Sequence, residues 1–145
     1  MNSTDDESPA DSSWPTLLCI DDDPQIPEAI RLRLRDYEVE VLCGFHGTHG
    51  FWLAMSERPD LVITDLRMPQ GHGDYIVECL RNNSETRDIP VIVLTGQRGP
   101  EATQKVCQLD VQAFLTKPVL FEQLLAVIQQ HIPLRPRKPE PAEML

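Results

Sequence analysis

Three consecutive aspartates, Asp21, Asp22 and Asp23, follow the apolar run TLLCI and stand just before Pro24. Neighbouring carboxylates repel by roughly 4 kcal/mol at ~4 Å when the effective dielectric is ~20. A chain that sets them at the end of a buried strand therefore has a use for the charge. A further carboxylate, Asp65, follows the run LVIT, Thr95 closes VIVLT, and Lys117 follows AFLT. If the first, third and fourth of the strand-like runs are neighbours, these groups converge. Carboxylates from two strand ends form an all-oxygen seat for a hard cation. Mg2+ fits, because it commonly binds through one or two carboxylates and keeps waters that a phosphate can replace. Lys117 adds a compact cation and Thr95 a hydroxyl donor. A divalent cation, an ammonium and a hydroxyl around one carboxylate are what a phosphoryl group needs while transferring to that carboxylate.

The elements that hold these residues are legible as runs and periods. TLLCI (16–20), LVIT (61–64) and VIVLT (91–95) are continuous apolar runs, as expected of central strands covered on both faces. VEVLC (39–43) alternates at first, which suits an edge strand, and AFLT (113–116) is a short fifth run. Between them, Ile26, Ile30 and Leu34 recur at helical spacing, so RLRLR (31–35) belongs to a helix rather than a strand. Leu120, Leu124 and Ile128 recur in the same way, with Phe121, Leu125 and Ile132 widening the stripe. Gly99-Pro100 opens another helix, with proline at a permitted first position. Strand–helix alternation five times over predicts an α/β fold with a doubly wound parallel sheet and right-handed crossovers. Ligands bind such sheets at the carboxyl ends of the strands, where the polar residues fall.

With 145 residues, the chain suffices for one domain that buries about two-thirds of its unfolded surface. Its net charge of −10 argues against a nucleic-acid-binding surface. No apolar stretch approaches the ~20 residues of a membrane span, and no signal sequence opens the chain. Cys19, Cys43, Cys79 and Cys107 are far apart with no CxxC. This suggests neither a zinc site nor a redox motif and fits a reducing cytoplasm. Residues 1–15, rich in Ser, Asp and Pro, read as a flexible N-terminal segment. Residues 133–145 read as a Pro-rich, solvated tail, leaving 16–132 for the folded domain.

IDDDP (20–24), TDLRMPQGHG (64–73), VIVLTG (91–96) and FLTKP (114–118) together resemble the receiver domains of two-component response regulators, including the single-domain chemotaxis type. The resemblance implies a flavodoxin-like, CheY-like sheet of strand order 2-1-3-4-5. It also implies that Asp65 accepts a phosphoryl group from a histidine kinase or a histidine phosphotransfer protein. Asp22 would ligate Mg2+ directly and Asp21 through water, with the Arg67 backbone carbonyl and Asp65 as further ligands. Thr95 matches the switch hydroxyl, Lys117 the phosphate-binding lysine, and Phe114 the aromatic that changes rotamer on activation. A cis Lys117–Pro118 peptide is expected on the same ground. Output would go to a downstream protein target through residues 100–131, because no effector domain follows residue 132 in this sequence.

Some positions depart from the family pattern. Receivers often have Gly-Ala before the fifth strand; this chain has Asp110-Val111, where Asp tolerates the left-handed conformation that helix ends often need. Gly96 replaces a common alanine and leaves the site roomier. Arg67 and Gln97 stand beside the site. Asp23 reads as a helix-start carboxylate, His46 and His49 as solvated loop histidines, His72 as a local loop residue, Trp14 as non-core, and Phe51 and Trp52 as core beneath the second helix. Two other functions would use some of the same residues. A haloacid-dehalogenase-like phosphatase shares the Asp, Thr, Lys order but needs an acidic cluster after the lysine, where only Glu122 stands before the tail. A pseudo-receiver that is never phosphorylated would not require the complete acidic set.

Overall fold

The computed structural model describes residues 14–66, 73–96 and 99–138, without the side chains of 73, 74 and 102. Ten elements alternate along the chain. They are β1 (Thr16–Ile20), α1 (Gln25–Arg33), β2 (Glu40–Gly44), α2 (Gly47–Glu57), β3 (Leu61–Thr64), α3 (Gly73–Arg81), β4 (Val91–Thr95), α4 (Pro100–Cys107), β5 (Ala113–Thr116) and α5 (Phe121–Gln129). The five strands form one parallel sheet in the order β2-β1-β3-β4-β5, as the sequence and the family resemblance predicted. Every residue of β3 and β4 is buried, whereas β2 and β5, at the edges, are not.

Alternation along the strands divides the core into two layers. Leu17, Cys19, Leu61, Ile63, Ile92 and Leu94 face one way and pack with Ile30, Leu34, Leu124 and Ile128 of the α1 and α5 side. Leu18, Ile20, Val62 and Val91 face the other, against Ala54 of α2 and Ile76, Val77 and Leu80 of α3. A smaller cluster of Leu66, Val93 and Val106 lies under α4. The register does the rest. Ile20 pairs with Thr64, so the residues that follow, Asp21 and Asp65, leave the sheet side by side.

Local sequence sets the helix ends. Asp23 accepts a hydrogen bond from the Gln25 N–H at 3.0 Å, satisfying a donor at the start of α1. This is its expected role. Proline stands at the first turn of α4 after Gly99, whose φ is 102°. Helix α2 begins between the two histidines expected in a loop: His46 caps it through Nδ1, which accepts from the His49 N–H at 3.2 Å.

Four expectations differ from the structure. Trp52 is 62% exposed rather than core, because Gly47, Gly50 and Ala54 take the buried face of α2. At about 100° per residue Trp52 then points away, while Phe51 packs against the α2–α3 layer. Leu120 lies just before α5 and is 66% exposed, so it is not part of the stripe. The left-handed backbone is not at Asp110. Among the described non-glycine residues it occurs at Arg58, the C-cap of α2, with φ of 48°. Residues 133–138 are not a free tail: Glu38 donates to the Arg135 carbonyl at 2.7 Å and Arg137 donates to the Asp36 carbonyl at 2.8 Å.

Candidate functional site

The carboxyl ends of β1 and β3 deliver three carboxylates to one place. One oxygen from each of Asp21, Asp22 and Asp65 falls within 4.8 Å of the others. Asp21 and Asp65 are buried, at 2% and 7% exposure, while Asp22 faces solvent. Backbone bonds fix the two buried members. The Asp21 N–H donates to the Gly44 carbonyl at 2.9 Å, and the Asp65 N–H donates to the Ile20 carbonyl at 3.1 Å. These two carbonyls were not singled out from the sequence; only the register exposes their role.

Lys117 completes the cluster from the end of β5. Its N–H donates to the Thr95 carbonyl at 2.8 Å, and its Nζ donates to Asp21 Oδ2 at 2.8 Å and to Asp65 Oδ2 at 3.2 Å. The Lys117–Pro118 peptide is cis, as the resemblance implied. The other oxygen of Asp21, Oδ1, accepts the Asp23 N–H at 2.9 Å. Thr95 is buried at the end of β4, in register with Thr116. Phe114 pairs with Val93 on the neighbouring strand and is 36% exposed. Arg67 and Gln97 lie outside the described residues, as does His72. A Cβ at Gly96 would meet nothing within 4 Å, so alanine would fit there.

Both partners of the Lys117–Asp21 ion pair shift upward. Burial pushes the Asp21 carboxyl up, and the hydrogen bonds from Lys117 and Asp23 only partly oppose it. Burial works to lower the Lys117 ammonium, but the hydrogen bond to Asp21 and the charges of Asp21 and Asp65 outweigh it and raise it. The common direction thus has two causes: burial disfavours the Asp21 carboxylate, and the carboxylates of Asp21 and Asp65 favour the Lys117 ammonium. Such an all-oxygen, electron-rich set suits a hard divalent cation and not a soft one. Cys19, buried in the sheet beneath it, has its thiol pushed far up by desolvation and is inert packing.

Comparison with known proteins agrees with this geometry. The family model described as the response regulator receiver domain matches residues 17–129. The DNA-binding dual master transcriptional regulator RpaA of Synechocystis is 33% identical over 131 residues, 89% of this chain and 54% of that protein. Hybrid signal transduction histidine kinase D of Dictyostelium discoideum is 32% identical over 112 residues, 77% of this chain and 7% of that protein. The chain thus spans about half the length of the first relative and a small part of the second. Among solved structures, chemotaxis protein CheY4 of Vibrio cholerae superposes with a TM-score of 0.76 at 28% identity, covering 83% of this chain and all of that one. A buried pair of aspartates bridged by a lysine at the strand ends, on a sheet of this order and with a family match across nearly the whole fold, places the chain among the response regulator receiver domains, which are signalling domains of two-component systems.

Proposed function

We propose that this domain accepts a phosphoryl group on Asp65 from a phosphohistidine of a histidine kinase or histidine phosphotransfer protein, and thereby switches a protein-binding face. One observation carries the reading: Lys117 Nζ lies 3.2 Å from Asp65 Oδ2 and 2.8 Å from Asp21 Oδ2, with Asp22 in the same cluster. An Asp65 oxygen attacks phosphorus in line; the new P–O bond forms as the P–N bond breaks, and the imidazole nitrogen keeps the electron pair. Lys117 and the Thr95 hydroxyl hold the transferred oxygens. Mg2+, when bound, offsets the charge on those oxygens. Asp22, the exposed carboxylate, would be the direct ligand. Both Asp21 oxygens already accept hydrogen bonds, which supports a water-mediated role for Asp21. The Arg67 carbonyl is assigned as a ligand on family resemblance alone. Water later hydrolyses the acyl phosphate, returning the carboxylate and releasing phosphate.

The phosphodonor has a surface beside the acceptor. An apolar groove of about 820 Å3 between α1 and α5, lined by Ile26, Ile30, Leu120 and Leu124, opens next to Lys117. The responding face is assigned to residues 100–131, with Thr95 and Phe114 as the relay. Val106 is the one buried side chain described in α4, so this helix is the most weakly anchored. No described helix is long and apolar enough to cross a membrane, and the described cysteines are free thiols. A cytoplasmic location accords with both. Incubation with Mg2+ and acetyl phosphate should add one phosphoryl group at Asp65, read by mass spectrometry. Undiminished labelling of Asp65→Asn would move the acceptor elsewhere.

A further inference from the structure

The backbone N–H groups of Asp21 and Asp65 donate to the Gly44 and Ile20 carbonyls, so a shift of Ile20, which precedes Asp21, moves both carboxylates and a shift of Gly44 moves Asp21. Helix α2 touches both supports. A Cβ built on Gly50 would lie 2.6 Å from Ile20 Cδ1 and 2.7 Å from its Cγ1 and Cγ2. A Cβ on Gly44 would lie 3.0 Å from the Gly50 Cα. Ile20 cannot swing aside, being fully buried in the α2–α3 layer. The obstacle at Gly44 is backbone and cannot yield without moving the helix. Conformation does not explain these glycines: among the described glycines only Gly99 has a positive φ. A helix interior also disfavours glycine relative to alanine. What both positions require is the absence of a side chain.

We infer that Gly44 and Gly50 are positioning residues for the acidic pair. By letting α2 rest directly on the end of β1, they set where the Ile20 and Gly44 carbonyls stand, and so how closely the Asp21 and Asp65 carboxylates approach. The part of this that concerns Mg2+ rests on the phosphoacceptor reading; the part that concerns the backbone does not. A methyl at residue 50 pushes on Ile20 and opens the seat from behind, with no change to any group that would touch the cation.

The test uses the full chain and two readouts. In Gly50→Ala, Mg2+ affinity by calorimetry should fall by roughly tenfold, the scale seen when groups that orient the ligands of a metal site are lost. Without metal, the Asp21 and Asp65 amides should exchange hydrogen faster, while those of the α1–α5 layer stay unchanged. Adding Ile20→Ala, which removes the three obstructing atoms, should recover part of the Mg2+ affinity. Ala54→Gly weakens the same helix without adding an atom, and should lower thermal stability with Mg2+ affinity unchanged. Wild-type Mg2+ affinity and amide exchange in Gly50→Ala would overturn the inference, as would an equal loss of affinity in Ala54→Gly. If Gly50→Ala does not fold, the milder contact in Gly44→Ala is read in the same way. A wild type that binds no Mg2+ would instead sink the phosphoacceptor reading, and the amide exchange would still decide this one.

Discussion

Lys117 serves two buried carboxylates with one ammonium, and its titration has a defined sign. Its pKa is raised above the ordinary 10.5, chiefly by the Asp21 hydrogen bond acting against burial. A base raised in the folded state contributes stability that is complete below the unfolded value and is lost as pH rises through the folded one. The window is therefore alkaline, above about pH 10.5. Asp21 behaves oppositely to a typical paired carboxylate: burial raises it above 3.8, so it favours the folded state at low pH and less so as pH climbs. Lys117→Met should melt below the wild type at pH 8, and the gap should close progressively above about pH 10.5 as the wild-type ammonium loses its proton. Melting curves across that range check it; a constant gap would show that Lys117 stabilises by packing and not by charge.

Arg81, at the end of α3, ties three elements together. Its Nε donates to the Asp110 carbonyl at 2.9 Å, its Nη1 to the carbonyls of Arg87 and Ile89 at 2.9 and 2.7 Å, and its Nη2 to Gln112 Oε1 at 3.2 Å. Gln112 Oε1 in turn accepts the Val91 N–H at 2.7 Å, at the start of β4. The turn between α4 and β5 is thus pinned from α3, while the α4 start at Gly99 has no such anchor among the described contacts. Arg81→Ala should destabilise the fold by about 2 kcal/mol, since carbonyls lose charge-assisted donors. Arg81→Lys should recover less than half, because an ammonium cannot span the fork. Urea unfolding checks both, and a change under about 0.5 kcal/mol would mark the network as ornamental. The same network shows why Asp110 was misread. Sequence reasoning expected a left-handed turn residue, but a side chain 29 positions upstream closes the turn instead. By contrast, β1, β3 and β4 were legible because burial on both faces leaves an unbroken apolar run. Asp21, Asp65 and Lys117 were legible because each directly follows a strand, and strand register then brings them together. Trp52 reads as core by type, yet it is exposed. Which face of a helix is buried depends on the small residues opposite, and apolar type alone does not reveal that.

The far end of the sheet carries a different device, some five residues or roughly 16 Å along β1 from the acidic cluster. There residues 14–15 and 134–137 come together. Leu134 packs on the α1–α5 layer, and Pro136 pairs antiparallel with Tyr37. Arg137 Nε donates to the Tyr37 carbonyl at 2.9 Å, and its guanidinium lies 4.8 Å from the centre of the Trp14 ring. The Pro15 carbonyl, next to Trp14, accepts the Glu40 N–H at 2.9 Å at the start of β2. Composition made both segments look free, because proline and charge are poor core formers. What holds residues 14–15 and 133–138 is long-range: backbone pairing with residues 36–40 and an arginine that donates through Nε and lies on an aromatic face, none of which has a local signature. Arg137→Ala removes the cation–π contact and a charge-assisted hydrogen bond, worth together about 1–2 kcal/mol at this partly exposed place. The chain has two tryptophans, so in a Trp52→Phe background Trp14 alone reports. Its emission should shift to the red in Arg137→Ala as the ring gains water. Acetyl phosphate labelling of Asp65 should stay at the wild-type level, because the described polar contacts of this strap lie with residues 14 and 36–38, away from the carboxyl ends of the strands. An unshifted emission would show that Trp14 is held without Arg137, and reduced labelling would show that the two ends of the sheet are coupled.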